Sequence, residues 1–518
     1  METVRDYLTS KGKEAHFFSP AVRVVIVWVL FLASFALRTY AITEPPLEFN
    51  PIRQYRYLLV ARAYYFESIP SIPDWKRQVA TINQQDLSIL EPPIMPYLAY
   101  LGYRLAGAEH VWIPRMMSVV CWLIGGIFLY RISRRIISAD GALFSVAFYL
   151  FLPFGIFASR SFQPDPLMLM LLLASLYSML RYYEQPSFKT LWIVAAASGL
   201  AVLAKPTSVF FILGGFLSLA HLEERSWRRA LTRPPLLLFL LLTALPLLTY
   251  YFYGIFVSDF LRQQAEYSFV PSLILHWFFW RSWFDLIRTV IGGAPLILGF
   301  LGVLTLGDKK AKTFLTGLWV GYIVFGLVFT NHIHTHNYYH LPFIPVIALS
   351  CGALGALIIE RLNEASTEWH WRAAAWCALI MGLLLPILEY TEARRLLPDF
   401  DKPAKIARET GEAVAHSTKT LLLSSRYERA VRYHGELYGV TWPGKDERHW
   451  EELSTDRRVG AEERLRSLLS SYPADYFVVT DIGEFERQQD LKQLLTLKFP
   501  ILQENSGYVI FDLRKNHR

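Results

Sequence analysis

The chain is 518 residues long, about three times the ~150 residues of an ordinary soluble domain. Hydrophobic residues make up 53% and charged residues only 19%, and the mean hydropathy is +0.27, which leaves too little charge to coat a soluble surface and excludes a disordered chain, a collagen-like repeat and a disulfide scaffold. The net charge of +8 is the modest basic excess that orients a polytopic membrane protein, and it does not indicate nucleic-acid binding.

The N-terminal twenty residues are polar, and the apolar run after them has the length of a spanning helix, so no cleavable signal peptide is expected. Spanning a bilayer takes ~20 mostly apolar residues in a helix, which satisfies its own backbone groups. Eleven runs qualify: 21–41, 112–131, 138–156, 166–182, 189–204, 207–221, 234–253, 289–306, 313–330, 342–359 and 373–389. Lys205-Pro206 splits the fifth from the sixth, and Pro206 breaks the helix there as a tight hairpin would require. Cys121, Cys351 and Cys377 each lie inside an apolar run without a second cysteine at ligand spacing. Neither a disulfide framework nor a thiolate zinc site is available.

With the N-terminus inside, the short inner loops collect Arg131, Arg134 and Arg135, then Arg181, then Arg225, Arg228, Arg229 and Arg233, then Lys309, Lys310 and Lys312. The short outer loops hold little beyond Arg160 and Lys205, an asymmetry that fits the positive-inside rule with an odd number of spans. Two outer segments exceed mere connectors. The first, 43–111, contains Arg53–Phe66, whose aromatic and aliphatic spacing predicts an amphipathic helix lying in the membrane interface. The second, 254–288, carries Trp277, Trp280 and Trp283, which read as interfacial anchors. From 391 to 518 the composition turns charged: 421–425, 475–481 and 507–513 read as short strands with helical stretches at 462–471 and 485–497, together an appended α/β domain.

Ionisable side chains gather at the outer face: Glu48, Arg53, Arg56 and Glu91 in the first loop, Asp165 at the mouth of the fourth span, and Lys205 at the end of the fifth. His332, His334, His336 and His340 precede the tenth span. Ionisable residues at the mouths of membrane helices mark functional sites when they face a cavity. Each has a plainer role open to it. Glu48 could cap the helix or pair with Arg53, Asp165 could be a helix N-cap, and Lys205 could snorkel. Arg53 and Arg56 could meet lipid headgroups, and the histidines could form an interfacial girdle.

The order of LEPPIMPYLAYLGYRLAG followed by Arg115, QPDPLMLMLLLASLYSMLRYYE, GLAVLAKPTSVFFI and HNYYHLPFIPVIAL resembles the polyprenyl-phosphate-sugar glycosyltransferases of the GT-C fold, the group of the protein O-mannosyltransferases and lipid A aminoarabinose transferases. The resemblance covers roughly residues 22–360 and implies a transmembrane catalytic domain over 1–390; it does not cover the extracytoplasmic α/β domain over 391–518, which is read from the change in composition. It implies an inverting enzyme that moves a monosaccharide from a polyprenyl-phosphate donor to a lipid, glycan or protein acceptor at the outer face of a bacterial inner membrane. In that chemistry a carboxylate takes the acceptor proton while cations hold the phosphate leaving group. Carried onto this chain, Glu48 is the base and Asp165 orients the acceptor or helps bind a cation. Arg53, Arg56 and Lys205 bind phosphate. Glu91 with His336 could hold a divalent metal ion. One departure stands out: where the family often places an acidic pair before the first-loop helix, this chain has Arg53-Gln54. The alternatives are a transporter or flippase of lipid-linked saccharide, and a non-catalytic binding protein of the same fold.

Overall fold

The computed structural model describes residues 17–87, 91–232, 234–258, 269–365, 369–425, 428–455 and 459–515. Most of the chain is helical, and each of the eleven apolar runs is helical, with 138–156 divided between Ala139–Phe151 and Pro153–Ser159 at a bend of 63° and 289–306 likewise divided. Seven helices are long and apolar enough to cross a membrane among the described residues, and two bent pairs raise this to as many as nine. Phe188–Ala204 is a shorter apolar helix, and Trp369–Arg395 covers the eleventh run. The chain is an integral membrane protein.

Local chemistry starts these helices where the sequence changes character. Ser19 accepts from the Val22 amide and Asp308 from the Ala311 amide, each satisfying a backbone donor that the first helical turn leaves open. Ser187 and Thr190 form a reciprocal capping box at the start of Phe188–Ala204. Small residues let helices meet closely: a Cβ on Gly317 would collide with the Gly214 carbonyl, so Val209–Glu224 and Lys309–Val328 cross backbone to backbone.

Three expectations are corrected. The run at 289–306 is no straight span, because Gly292, at φ +91°, separates Trp277–Ile291 from Gly293–Thr305 with a bend of 91°; glycine adopts that φ without a Cβ penalty. Trp277 and Trp280 are exposed, but Trp283 is buried and donates its indole N–H to Tyr322 Oη at 2.9 Å. The helix expected over Arg53–Phe66 is present as Pro51–Glu67, but it is largely packed inside the protein. Tyr55, Leu58 and Ala61 are wholly buried along with most of its other residues, because it is enclosed by helices Asp74–Asp86 and Ile94–Ala106 and by the C-terminal domain.

That domain holds a five-stranded sheet of order β2-β1-β3-β5-β4, with β1 Thr420–Leu423, β2 Gly439–Thr441, β3 Tyr476–Val479, β4 Ile501–Glu504 and β5 Val509–Asp512. β1 pairs in parallel with β2 and β3, and β5 runs antiparallel to β3 and β4. Leu421, Phe477 and Phe511 face one core while Leu422, Val478 and Ile510 face another. Strands covered on both faces read as unbroken apolar runs, which is why β1, β3 and β5 are visible in the sequence. The exposed edge strand β4 and the three-residue β2 are not.

Candidate functional site

The ionisable residues singled out near the helix mouths fall mainly into two separate clusters. The first surrounds Glu48, whose side chain is 2% exposed. One of its oxygens pairs with Arg115 and with Arg160 Nε at 3.0 Å, and the other lies 3.8 Å from Arg394 Nη1. The guanidiniums also tie down backbone. Arg115 donates to the carbonyls of Ile42, Glu44 and Arg160, and Arg160 donates to the Tyr40 carbonyl and to Tyr390 Oη. Arg394, near the end of the last apolar helix, also binds Glu44. The Glu48 cluster therefore joins the segment after the first span, the start of Trp112–Ile136, the 160–165 loop and the end of Trp369–Arg395. A cavity of about 660 Å³ opens beside it between Leu37, Tyr40, Tyr390, Arg394 and Phe400, and the buried Glu48 is not among the residues lining it.

The second cluster assembles residues from four parts of the chain. Arg53 and Tyr57 come from Pro51–Glu67, one turn apart. Glu91 precedes Ile94–Ala106, and Asp165 is the first residue of Asp165–Glu184, where Pro164 takes the N-cap place. Lys205 sits in the extended break between Phe188–Ala204 and the turn Pro206–Ser208. Arg53 Nη2 lies 3.3 Å from Glu91 Oε1 and 3.7 Å from Asp165 Oδ2. Lys205 Nζ donates to Asp165 Oδ1 at 2.6 Å, and Tyr57 Oη donates to Glu91 Oε2 at 2.8 Å. The Arg53 guanidinium stands 4.3 Å over the Tyr338 ring, and Lys205 Nζ lies 5.0 and 4.9 Å from the rings of Tyr338 and Tyr339, within cation–π range.

Lys205 does not snorkel, since it is 3% exposed and its ammonium ends on a carboxylate. Asp165 Oδ2 is buried without a hydrogen-bond donor. Arg53 and Glu91 retain some exposure, so the cluster meets its surroundings on their side. Burial works against the Arg53 guanidinium, but Glu91, Tyr57 and Asp165 hold its pKa above the ordinary arginine value. Burial lowers the Lys205 ammonium, with Asp165 opposing. Burial, then the neighbouring His336, Lys205 and Arg53, push His332 down to about 4, so the imidazole beside these cations is neutral near pH 7.

Of the residues singled out from sequence, Arg53, Glu91, Asp165 and Lys205 thus converge. Glu48 does not join them: its side chain is enclosed among the guanidiniums of the other cluster. No ion pair connects Arg56 to either site carboxylate among the described residues, and its buried Nε has no hydrogen-bond partner. The Arg53-Gln54 departure divides its work: Arg53 serves the site, while Gln54 donates to the carbonyls of Pro46 and Phe49 and accepts from the Phe162 amide. Sequence reading missed Tyr57, although its i+4 spacing from Arg53 was visible, and it assigned no role to Tyr338 or Tyr339.

The expected Glu91–His336 pair has other partners in the structure. Both Glu91 oxygens are engaged by Arg53 and Tyr57, and the His336 Nδ1 pairs with Thr335 Oγ1 at 2.7 Å. No group of three His, Cys, Asp or Glu side chains suits a metal among the described residues. His340 is structural, held between Tyr322 Oη and the Ile333 carbonyl.

Residues 90–252 match the family model of dolichyl-phosphate-mannose-protein mannosyltransferases. No curated protein matches by sequence. Among solved structures, ArnT from Cupriavidus metallidurans in the apo state aligns with a TM-score of 0.56 at 16% identity, covering 94% of this chain and 98% of that one. The same protein bound to undecaprenyl phosphate aligns with a TM-score of 0.56 at 15% identity, covering 95% and 97%. The oligosaccharyltransferase of Archaeoglobus fulgidus in its apo form aligns with a TM-score of 0.55 at 12% identity, covering 94% of this chain and 73% of that one. The chain therefore has the GT-C fold.

Proposed function

We propose that this protein is an inverting glycosyltransferase that moves a monosaccharide from a polyprenyl-phosphate donor to an acceptor hydroxyl or amine, at the extracytoplasmic face of a bacterial inner membrane. The observation that carries the reading is the convergence of Arg53 and Lys205, 152 residues apart in sequence, on the single carboxylate Asp165. In such a site the two cations take the donor phosphate, Arg53 with its forked donors and Lys205 as a point charge. Both are now neutralised by carboxylates, so an incoming phosphate competes with Asp165 and Glu91 for them and releases Asp165 toward the acceptor.

Asp165 Oδ2, the oxygen without a hydrogen-bond donor, then takes the acceptor proton. The acceptor oxygen or nitrogen forms its bond to the anomeric carbon from the face opposite the phosphate, and the bond to the phosphate oxygen breaks. The polyprenyl phosphate departs as an anion stabilised by Arg53 and Lys205. Tyr57 and Glu91 hold Arg53 in place. Glu48 serves as the counter-ion of its arginine cluster, and no step runs through a metal.

The test is transfer of radiolabelled sugar from polyprenyl phosphate by the purified protein in nanodiscs. Asp165→Asn should reduce transfer by about 10²-fold or more, and Arg53→Ala should weaken lipid-phosphate binding. Wild-type transfer by Asp165→Asn would remove the proposed acceptor of the proton.

A further inference from the structure

Helix Pro51–Glu67 has two working faces. At 3.6 residues per turn, Arg53 and Tyr57 lie within about 40° of one another, and Tyr55 and Arg62 lie about 140–180° away. The first pair enters the cation–carboxylate cluster. The second pair meets the C-terminal domain through its helix Glu428–His434.

The contacts on this second face are polar, specific and largely buried. Tyr55 Oη pairs with His434 Nε2 at 2.8 Å. Arg62, 8% exposed, shares its Nε–H between the two Glu109 oxygens at 3.1 and 2.9 Å, donates from Nη1 to the Tyr433 carbonyl, and stacks 3.6 Å over the Tyr433 ring. The Tyr433 hydroxyl closes the triangle by donating to Glu109. At the helix start, Arg429 donates to the Ile52 carbonyl at 3.0 Å, one residue before Arg53. The neighbouring helix Asp74–Asp86 is tied to the same domain by Lys76–Glu436 at 2.8 Å, by Arg432–Asp86, and by Asn83 Nδ2 donating to the Leu437 carbonyl at 3.0 Å.

We infer that the C-terminal domain is a positioning element of the reaction centre: through Tyr433, His434 and Arg429 it fixes the azimuth and axial place of Pro51–Glu67, and so sets Arg53 against Asp165 and Glu91. A buried charge pair is a poor source of net stability but a good register device, because only one geometry satisfies all its partners. A rotation of the helix that freed Arg62 from Glu109 and Tyr433 would swing Arg53 out of the cluster on the opposite face. Tyr433 and Arg62 are therefore positioning residues that act through Arg53, and the inference rests on the reading of Arg53 as a phosphate-binding group.

The experiment is a double-mutant cycle on the full-length protein in nanodiscs, read as affinity for undecaprenyl phosphate. Arg53→Ala should weaken binding about tenfold or more. Tyr433→Phe keeps the ring over Arg62 and removes only the hydroxyl. It should weaken binding about threefold or more in the otherwise wild-type protein and leave it unchanged when Arg53 is already Ala. Arg62→Met should behave in the same way, and Tyr433→Phe keeps the test open if Arg62→Met fails to fold. Equal losses in the two Arg53 backgrounds would reveal general destabilisation and overturn the inference, as would an unaltered affinity in Tyr433→Phe. An Arg53→Ala protein that binds as wild type would instead overturn the phosphate-site reading, and the inference with it.

Discussion

The Lys205–Asp165 pair allows stability and function to be separated. Nζ and Oδ1 are 2.6 Å apart, and the two side chains are 4% and 0% exposed. At an effective dielectric of about 20 the direct attraction is roughly 6 kcal/mol, and much of it is offset by the cost of taking two ions out of water. Removing one partner forfeits the attraction and leaves the other charge buried, so Lys205→Met alone should destabilise by about 3–5 kcal/mol. Replacing both, as Lys205→Met with Asp165→Leu, removes the stranded charge along with the attraction. That double variant should regain most of the lost stability, to within about 1–2 kcal/mol of the wild type or above it. Thermal unfolding in detergent followed by tryptophan fluorescence gives the stability order, and polyprenyl-phosphate binding in nanodiscs gives the function. The expected result is a single variant of low stability and a double variant that is stable yet binds no lipid phosphate. A double variant that binds and transfers like the wild type would refute the assignment of this pair to the reaction. A single variant as stable as the wild type would refute the electrostatic reasoning.

Two further outcomes follow from the surroundings. Glu48→Gln removes the one anion that Arg115, Arg160 and Arg394 share, and should cost about 3–5 kcal/mol, seen as a lowered unfolding temperature and poor yield; a well-folded Glu48→Gln protein that has lost only transfer would return Glu48 to the reaction. For His332, burial and nearby cations push the folded pKa down to about 4 from an unfolded value near ~6.5, so the unfolded chain binds the proton first as pH falls. The contribution of neutral His332 is intact above about pH 6.5 and is lost progressively down to about pH 4. The wild type should therefore lose more thermal stability over that window than His332→Gln, and identical pH profiles for the two proteins would remove the argument.

Much of this protein is legible one segment at a time. The spanning helices announce themselves because hydrocarbon tolerates only long apolar helices. Ser19, Ser187 and Asp308 mark helix starts by local hydrogen bonding. Strands β1, β3 and β5 show as apolar runs, and Arg53, Glu91, Asp165 and Lys205 stand out as charges where charge is costly. What local pattern cannot carry is which charges meet. Glu48 looks equivalent to Glu91 in sequence, each a carboxylate in the first loop, and long-range packing alone sends one to three arginines and the other to Arg53 and Tyr57.

The helix Pro51–Glu67 makes the same point at the level of an element. Its period is readable, but the burial of most of its residues depends on two neighbouring helices and a domain that begins more than three hundred residues later. Composition and periodicity are properties of short stretches, so the sequence by itself determined a polytopic helical membrane protein with an appended α/β domain and a short roll of candidate groups. The pairing of those groups depends on contacts between residues far apart in the chain. The tertiary structure alone decided that Lys205 closes on Asp165, that Glu48 is locked among arginines, and that Arg53 shares its helix with the docking face of the C-terminal domain.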